Sequence, residues 1–125
     1  MATKEEQIKA LLNQKACELA CRELNVNHMA RSSYKDIFTV SRHDIEEYVK
    51  IHGIPKHRYC TKSESHPCEN IHFYEKSGTW YLYWLERGIV SNKEEFNEKK
   101  KAEKRLLDWI LEMSGTGINF TQPTN

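Results

Sequence analysis

The chain has 125 residues, a mass of 14.8 kDa, 19 basic and 18 acidic side chains, and a formal charge of +1. The length predicts a single domain over 1–125, and the balanced charge argues against a general nucleic-acid or membrane binder. The sequence contains no apolar run of about 18 residues, so it predicts no transmembrane helix. Its polar opening predicts no signal peptide. We therefore expect a cytoplasmic protein whose cysteines stay reduced.

The first predicted element is a long helix over 4–24. Thr3 and Glu6 have the spacing of a capping box, in which each side chain satisfies a backbone N–H of the first turn. Apolar residues at helical spacing mark the face that is expected to be buried. These residues are Ile8, Leu11, Leu12, Ala16 and Leu19. Cys17 and Cys21 lie four residues apart on a thinner stripe, where paired cysteines usually serve as small packing residues.

A short strand over 37–40 and a second helix follow. Ser41 is a suitable N-cap, and Asp44 places an acid in the first turn, where the helix dipole favours it. One face of this helix is predicted to carry the apolar and aromatic side chains Ile45, Tyr48, Val49 and His52. Gly53 is a typical stop, and Pro55 prevents continuation.

The central part of the chain predicts an antiparallel sheet. Strands are expected over 71–75, Thr79–Glu86 and Ile89–Phe96, with a further short strand over 58–61. Gly78 and Gly88 suit the turns, because glycine takes a positive φ at little cost. The run Thr79–Glu86 is apolar on both faces, which is typical of a central strand.

The last predicted element is an amphipathic helix over 98–113, with Asn97 as its N-cap. The fold class is thus α+β, with two N-terminal helices, an antiparallel sheet of about three or four strands and a C-terminal helix packed on the sheet. The expected core, buried and in mutual contact, consists of Trp80, Leu82, Trp84, Leu106, Trp109 and Ile110.

Histidines and cysteines gather between the second helix and the sheet, at His57, Cys60, His66, Cys68 and His72. Thiolates and imidazoles are the ligands that zinc prefers, but structural sites usually bring cysteines in pairs two to four residues apart. Seven residues separate Cys60 from Cys68 here. The residues by themselves predict a polar loop, no bound metal and no cofactor, with a zinc-stabilised adaptor domain as the alternative.

Catalytic and nucleic-acid-binding motifs are lacking in the sequence. No Gly-rich phosphate loop, nucleophile elbow or zinc-protease motif occurs, so we do not expect an enzyme, although a small enzyme that uses a cysteine or histidine of the same loop stays open. The last helix is locally basic at 99–101, 104 and 105, and acids at 94, 95, 98 and 103 interleave with these cations, several at helix-pair spacing. This pattern predicts a solvated face with ion pairs rather than a phosphate-binding track.

The segment 78–111 carries a resemblance to a known family. It combines an aromatic strand, the tripeptide Glu86-Arg87-Gly88, Phe96 and a helix that contains Ala102. In this order of features the chain resembles the small immunity proteins of bacterial polymorphic-toxin and contact-dependent growth inhibition systems. The resemblance implies a cytoplasmic protein that binds and neutralises one cognate toxin domain by forming a stoichiometric complex, with no direct nucleic-acid or membrane partner.

Toxins of such systems are often nucleases with basic clefts, and many of their inhibitors are acidic. The charge of +1 departs from that pattern, so acidic mimicry of nucleic acid over the whole surface is not expected. A local acidic patch is the remaining possibility. The predicted toxin-binding residues are Asp44, Glu46, Glu47, Glu64 and Glu69.

Overall fold

The computed structural model describes residues 2–27, 34–62 and 69–120. In these ranges the chain forms two compact units, one from Met1–Ile54 and Asp108–Asn125 and the other from Pro55–Leu107. The described part contains four α-helices and one three-stranded antiparallel sheet, so the predicted α+β class is confirmed. The single domain over 1–125 stays a prediction.

The first predicted helix is two helices, α1 (Lys4–Leu12) and α2 (Ala16–Leu24), so its continuity over 4–24 was wrong. The capping box of Thr3 and Glu6 is confirmed. The five residues of the predicted apolar stripe are all buried, although they are shared between the two helices. Because a turn separates the two helices, the stripe is made of two short buried faces, both in the first unit, and not of one continuous face.

The break between α1 and α2 is a left-handed helix end. Gln14 has φ +57°, and the Lys15 amide donates to the Ala10 carbonyl over 2.8 Å. This bond is typical of the Schellman motif, which satisfies the last carbonyls of a helix. The Asn13 side chain adds a bond of 2.7 Å to the Lys9 carbonyl. Glycine usually occupies the left-handed position, so a glutamine there gave no signal in the sequence.

The strand predicted over 37–40 was wrong: a short 3₁₀ helix, Tyr34–Asp36, runs into a turn at Ile37, and 38–40 have no regular secondary structure. The apolar residues Ile37 and Phe38 of this segment are buried. The buried side chain of Gln7, rather than a neighbouring strand, hydrogen-bonds to the backbone of this segment. The Thr39 backbone amide donates to the side-chain Oε1 of Gln7 over 2.8 Å, and the side-chain Nε2 of Gln7 donates to the Ala2 carbonyl.

The helix α3 (Arg42–His52) begins at the predicted N-cap, Ser41, and ends at Gly53. Its first residue, Arg42, is 5% exposed and lies in a network within the first unit. The guanidinium donates to Asp108 over 2.6 Å, to the Phe120 carbonyl over 3.0 Å and to Glu46 over 3.0 Å. These bonds join α3 to the C-terminal part of the same unit.

The second unit contains the strands β1 (Asn70–Lys76), β2 (Thr79–Glu86) and β3 (Ile89–Phe96), paired in chain order. The central position predicted for β2 is confirmed. The expected strand over 58–61 is a short 3₁₀ helix, Lys56–Arg58, followed by one bridge between Cys60 and His72. The backbone of Cys60 makes this one isolated bridge to β1, so a full fourth strand does not form there.

The core prediction for the strand residues is only partly correct. Leu82 of β2 is fully buried, whereas Trp80 and Trp84 on the same strand are half-buried, contrary to the prediction. Tyr83, on the opposite face of the strand, is fully buried. Tryptophan is highly buried on average but rarely fully buried because of its size, and both residues follow this tendency.

The last helix is α4 (Lys99–Glu112), and its residues Leu106, Trp109 and Ile110 are buried as predicted. In the second unit, its first part contacts the sheet. The Lys99 ammonium lies 5.7 Å from the centre of the Trp80 ring, and Arg105 donates to both carboxylate oxygens of Glu94 over 3.0 and 3.1 Å. The predicted packing of this helix on the sheet is therefore confirmed for that part.

The core position of Leu82 makes a first prediction. Leu82→Ala should lower the free energy of unfolding by about 2–5 kcal/mol, because it removes fully buried methyl groups and leaves a cavity. The matched control is Ile89→Ala, since Ile89 is 67% exposed, and its cost should stay within about 0.5 kcal/mol. Chemical denaturation of both variants measures the two costs, and equal costs would contradict the assignment.

The network of Arg42 makes a second prediction. Arg42→Ala should cost about 3–5 kcal/mol, because it leaves Asp108 without its buried partner. Arg22→Ala is the control, since the ion pair of Arg22 with Glu6 spans 3.4 Å at an exposed position and should contribute less than about 1 kcal/mol. Denaturant titration of both variants tests this difference, and a cost for Arg42→Ala as small as the control would refute the network's role.

Candidate binding surfaces

Three of the predicted toxin-binding acids lie on α3, in the first unit. Asp44 and Glu46 are engaged in the helix's own structure, whereas Glu47 is on its accessible side. Glu69 lies in the second unit, and Glu64 falls outside the described residues. The structure therefore places Asp44, Glu46 and Glu47 together on one helix.

Asp44 completes the start of α3. Its carboxylate accepts the Ser41 amide over 2.9 Å, the Ser41 hydroxyl accepts the Asp44 amide over 3.1 Å, and Lys4 lies 3.5 Å from the carboxylate. The bond from the Ser41 backbone, together with the Ser41 hydroxyl and the charge of Lys4, holds the pKa of Asp44 below its ordinary value. Asp44 is thus a capping residue first, and a partner would have to compete with these bonds.

Glu46 and Glu47 differ in what surrounds them. Glu46 accepts a bond from the buried Arg42, so its charge compensates a cation of the protein itself. Glu47 is exposed, and its contact with Lys50 over 3.4 Å joins two side chains that are at least half exposed. An exposed pair of this kind is weak and exchanges readily with a partner's charge.

An exposed isoleucine, which the sequence analysis did not select, stands beside Glu47. Ile51 is 78% exposed, which makes it the most exposed large apolar side chain in the described ranges. Glu47, Lys50 and Ile51 are three and four residues apart, so they share one side of α3, which we call the outer face. The signal was present in the sequence, because Ile51 falls outside the apolar stripe predicted for this helix.

Glu69 and the tripeptide Glu86-Arg87-Gly88 have a structural role, because Arg87 and Gly88 form the turn after β2 and Glu69 hydrogen-bonds to it. The Glu69 carboxylate accepts the Arg87 amide over 3.0 Å. Arg87 and Gly88 both have positive φ, at +52° and +75°, and connect β2 to β3. The bond from Arg87 explains why an acid stands just before β1, since it fixes the neighbouring hairpin.

The loop of histidines and cysteines is only partly described, because His66 and Cys68 lie outside the described residues. His72 is fully buried, its ring stacks on Tyr83 at 5.2 Å between centres, and its Nδ1 lies 2.7 Å from the Lys62 carbonyl oxygen. Cys60 bonds to β1 through its backbone. Over 2–27, 34–62 and 69–120, no group of three potential metal ligands converges.

A group of tyrosines on the sheet also escaped the sequence analysis as a cluster. Tyr74, Tyr81 and Tyr83 adjoin one another on β1 and β2, and the Tyr83 hydroxyl donates to that of Tyr74 over 3.2 Å. The Lys93 ammonium lies 5.0 Å from the Tyr81 ring centre and 5.8 Å from that of Tyr83. This lysine of β3 therefore makes cation–π contacts within the sheet.

Comparison with known proteins gives no relative: the chain matches no protein-family model, no curated protein sequence and no solved structure. None of the helices in the described ranges has both the length and the apolar character needed to cross a membrane.

The capping role of Asp44 makes a third prediction. Asp44→Asn should lower the free energy of unfolding by about 1 kcal/mol or less near neutral pH. The folded protein favours the carboxylate, so this contribution exists above the ordinary pKa near 3.8 and disappears as the pH falls through the lower folded value.

Thermal unfolding from pH 7 to pH 2 tests this pH dependence. The gap in Tm between the parent and Asp44→Asn should be largest near neutral pH and should close in acid. Glu47→Gln is the matched control, because its exposed carboxylate caps no helix. A gap for Asp44→Asn that widens in acid would show that the sign is wrong.

Proposed function

We propose that this protein is an immunity protein that binds a cognate toxin domain, of the nuclease class, and neutralises it in a stoichiometric complex in the cytoplasm. The observation that carries the proposal is the order of features over 78–111. The aromatic strand is β2, the tripeptide Glu86-Arg87-Gly88 is its turn, Phe96 ends β3 and α4 follows. The strand β2, its turn, β3 and the part of α4 up to Leu107 lie in one compact unit, which supports reading them as one module.

The surface charge limits how such a protein would recognise its target. With a formal charge of +1, the chain has no excess of acid with which to mimic nucleic acid as a whole. Two lysines of the 99–101 run also pair locally: Lys99 lies 3.8 Å from Glu103 of α4, and Lys101 lies 3.5 Å from Glu98, the residue just before this helix. Recognition is therefore expected to rest on a small local contact in which an apolar residue is bordered by acid.

The outer face of α3 meets this description best. Ile51 offers an exposed apolar side chain at the centre, and Glu47 offers a carboxylate that a basic toxin surface can take over from Lys50. Buried apolar residues near the centre of an interface commonly dominate affinity, while charges at the rim mainly affect the rate of association. Among the predicted acids, Glu47 is thus the best candidate for direct contact.

Glu46 is a poor place to test the interface. The double charge reversal at Glu46 and Glu47 suggested by the sequence would set a cation against the buried Arg42. That variant would lose stability along with any contact, so its effect on protection could not be assigned. Changes at Glu47 and Ile51 avoid this problem, because both side chains are exposed.

The alternative of a zinc-stabilised adaptor that uses the loop from Cys60 to His72 gains no support from the described part of that loop. The ring of His72 is buried against Tyr83 and bonded to a backbone carbonyl. Elemental analysis of the purified protein for zinc, combined with a Cys60→Ser variant, tests this alternative.

The proposed contact makes a fourth prediction. Ile51→Asp should weaken binding to the cognate toxin domain, which the proposal expects to be encoded beside this gene, by at least about tenfold, equivalent to 1.4 kcal/mol. Glu47→Lys should mainly slow association, more strongly at low salt. Ile89→Asp is the matched control, since it places the same substitution at an exposed isoleucine of the other unit.

Co-expression with that toxin and calorimetry of the purified pair provide the measurements. If cells die equally with and without this protein, the immunity proposal fails. If the parent protects and Ile51→Asp protects and binds equally well, the function stands and the outer face of α3 is not the interface.

A further inference from the structure

A pair of thiols stands on the accessible side of α2. Cys17 and Cys21 are four residues apart, and their sulfur atoms lie 3.9 Å from each other. Cys17 is exposed and Cys21 is half-buried, whereas the buried side of the helix uses Ala16, Leu19 and Ala20. The sequence interpretation of these cysteines as small packing residues is therefore wrong for Cys17, whose thiol lies at the surface.

The geometry of a helix opposes a disulfide between these two residues. Positions four apart on a helix hold their Cβ atoms about 5–6 Å from each other. A disulfide needs Cβ atoms about 3.5–4.5 Å apart, so it could form only if α2 were distorted.

The same geometry fits two sulfur ligands on one metal ion. Zinc–sulfur bonds are about 2.3 Å long, and two such bonds at a tetrahedral angle place the sulfur atoms about 3.8 Å apart. The observed separation of 3.9 Å is close to this sulfur–sulfur distance, so the intact helix already holds both side chains in a suitable arrangement.

We propose that Cys17 and Cys21 form a two-thiolate site for a soft, thiophilic metal ion, with Zn²⁺ as the ion bound. In binding, the two thiols lose two protons and form two metal–sulfur bonds, with no change of oxidation state. Two protein ligands leave the other coordination positions to water, so the site is an exchangeable one and not a structural one. The proposal does not depend on the immunity function.

Burial and the contact with Cys17 raise the pKa of the Cys21 thiol, so a bound metal ion has to compete with the proton there. Burial and the neighbouring Cys17 also raise the pKa of Tyr34, whose hydroxyl therefore stays protonated. A protonated hydroxyl beside a thiolate can donate a hydrogen bond to it and stabilise its charge.

Metal titration of the reduced full-length chain tests the proposal. Zn²⁺ affinity is measured by competition with a chromophoric chelator, and Co²⁺ is used as a probe whose sulfur-to-metal absorption reports thiolate ligation. Cys17→Ser and Cys21→Ser should each weaken Zn²⁺ binding at least tenfold and abolish the absorption. Cys60→Ser is the matched control and should leave both unchanged, because Cys60 lies in the other unit.

The outcomes separate this site from the loop around Cys60. The proposal would be overturned if the parent did not bind Zn²⁺, or if Cys17→Ser and Cys21→Ser bound it as tightly as the parent does. It would also be overturned if only Cys60→Ser lost binding. A mild thiol oxidant supplies a second test. A Cys17–Cys21 disulfide that formed with the helical circular dichroism unchanged would refute the geometric argument, whereas loss of helix signal on oxidation would support it.

Discussion

The first unit depends on one buried cation. Arg42 is removed from water at the start of α3, and removing a charge from water costs several kcal/mol unless the charge is paired and hydrogen-bonded. Asp108, the Phe120 carbonyl and Glu46 together meet that requirement. Since two of these partners belong to the C-terminal part of the chain, the guanidinium joins sequence-distant parts of the unit at one point.

This constraint also divides the acids of α3 by role. Glu46 is held by Arg42, and Asp44 is held by the N-terminal cap, so both charges are used inside the protein. Glu47 and Ile51 lie on the outer face with no such task in the fold. A cluster of acids in a sequence therefore overstates the charge that a partner can meet, because part of it compensates the protein's own donors and cations.

In the second unit, charged and aromatic side chains are likewise used within the fold. Lys93 contacts the rings of Tyr81 and Tyr83, Lys99 contacts Trp80, and Arg105 binds Glu94. These contacts show that several long charged side chains of the sheet and α4 lie over aromatic rings or against an opposite charge. The sequence prediction of ion pairs along the C-terminal helix agrees with this arrangement.

The sequence by itself determined the elements whose signals are local. The caps at Thr3 and Ser41, the stop at Gly53, the turn at Gly88 and the central position of β2 follow from backbone chemistry and hydrophobic period, so they were predictable. The left-handed end at Gln14 was not predictable, because glutamine carries no turn preference and only the packing of α1 and α2 favours it there.

Only the tertiary structure decided which polar side chains are available to a partner. The pairing of Arg42 with Asp108 spans 66 residues, and no local pattern marks either side chain as a member of a buried pair. The exposure of Ile51 and Cys17 likewise depends on which side of each helix faces the core. Burial and long-range pairing arise from contacts between segments that are distant in sequence, so spacing could mark Ile51 and the two cysteines of α2, but only the folded chain decided their exposure.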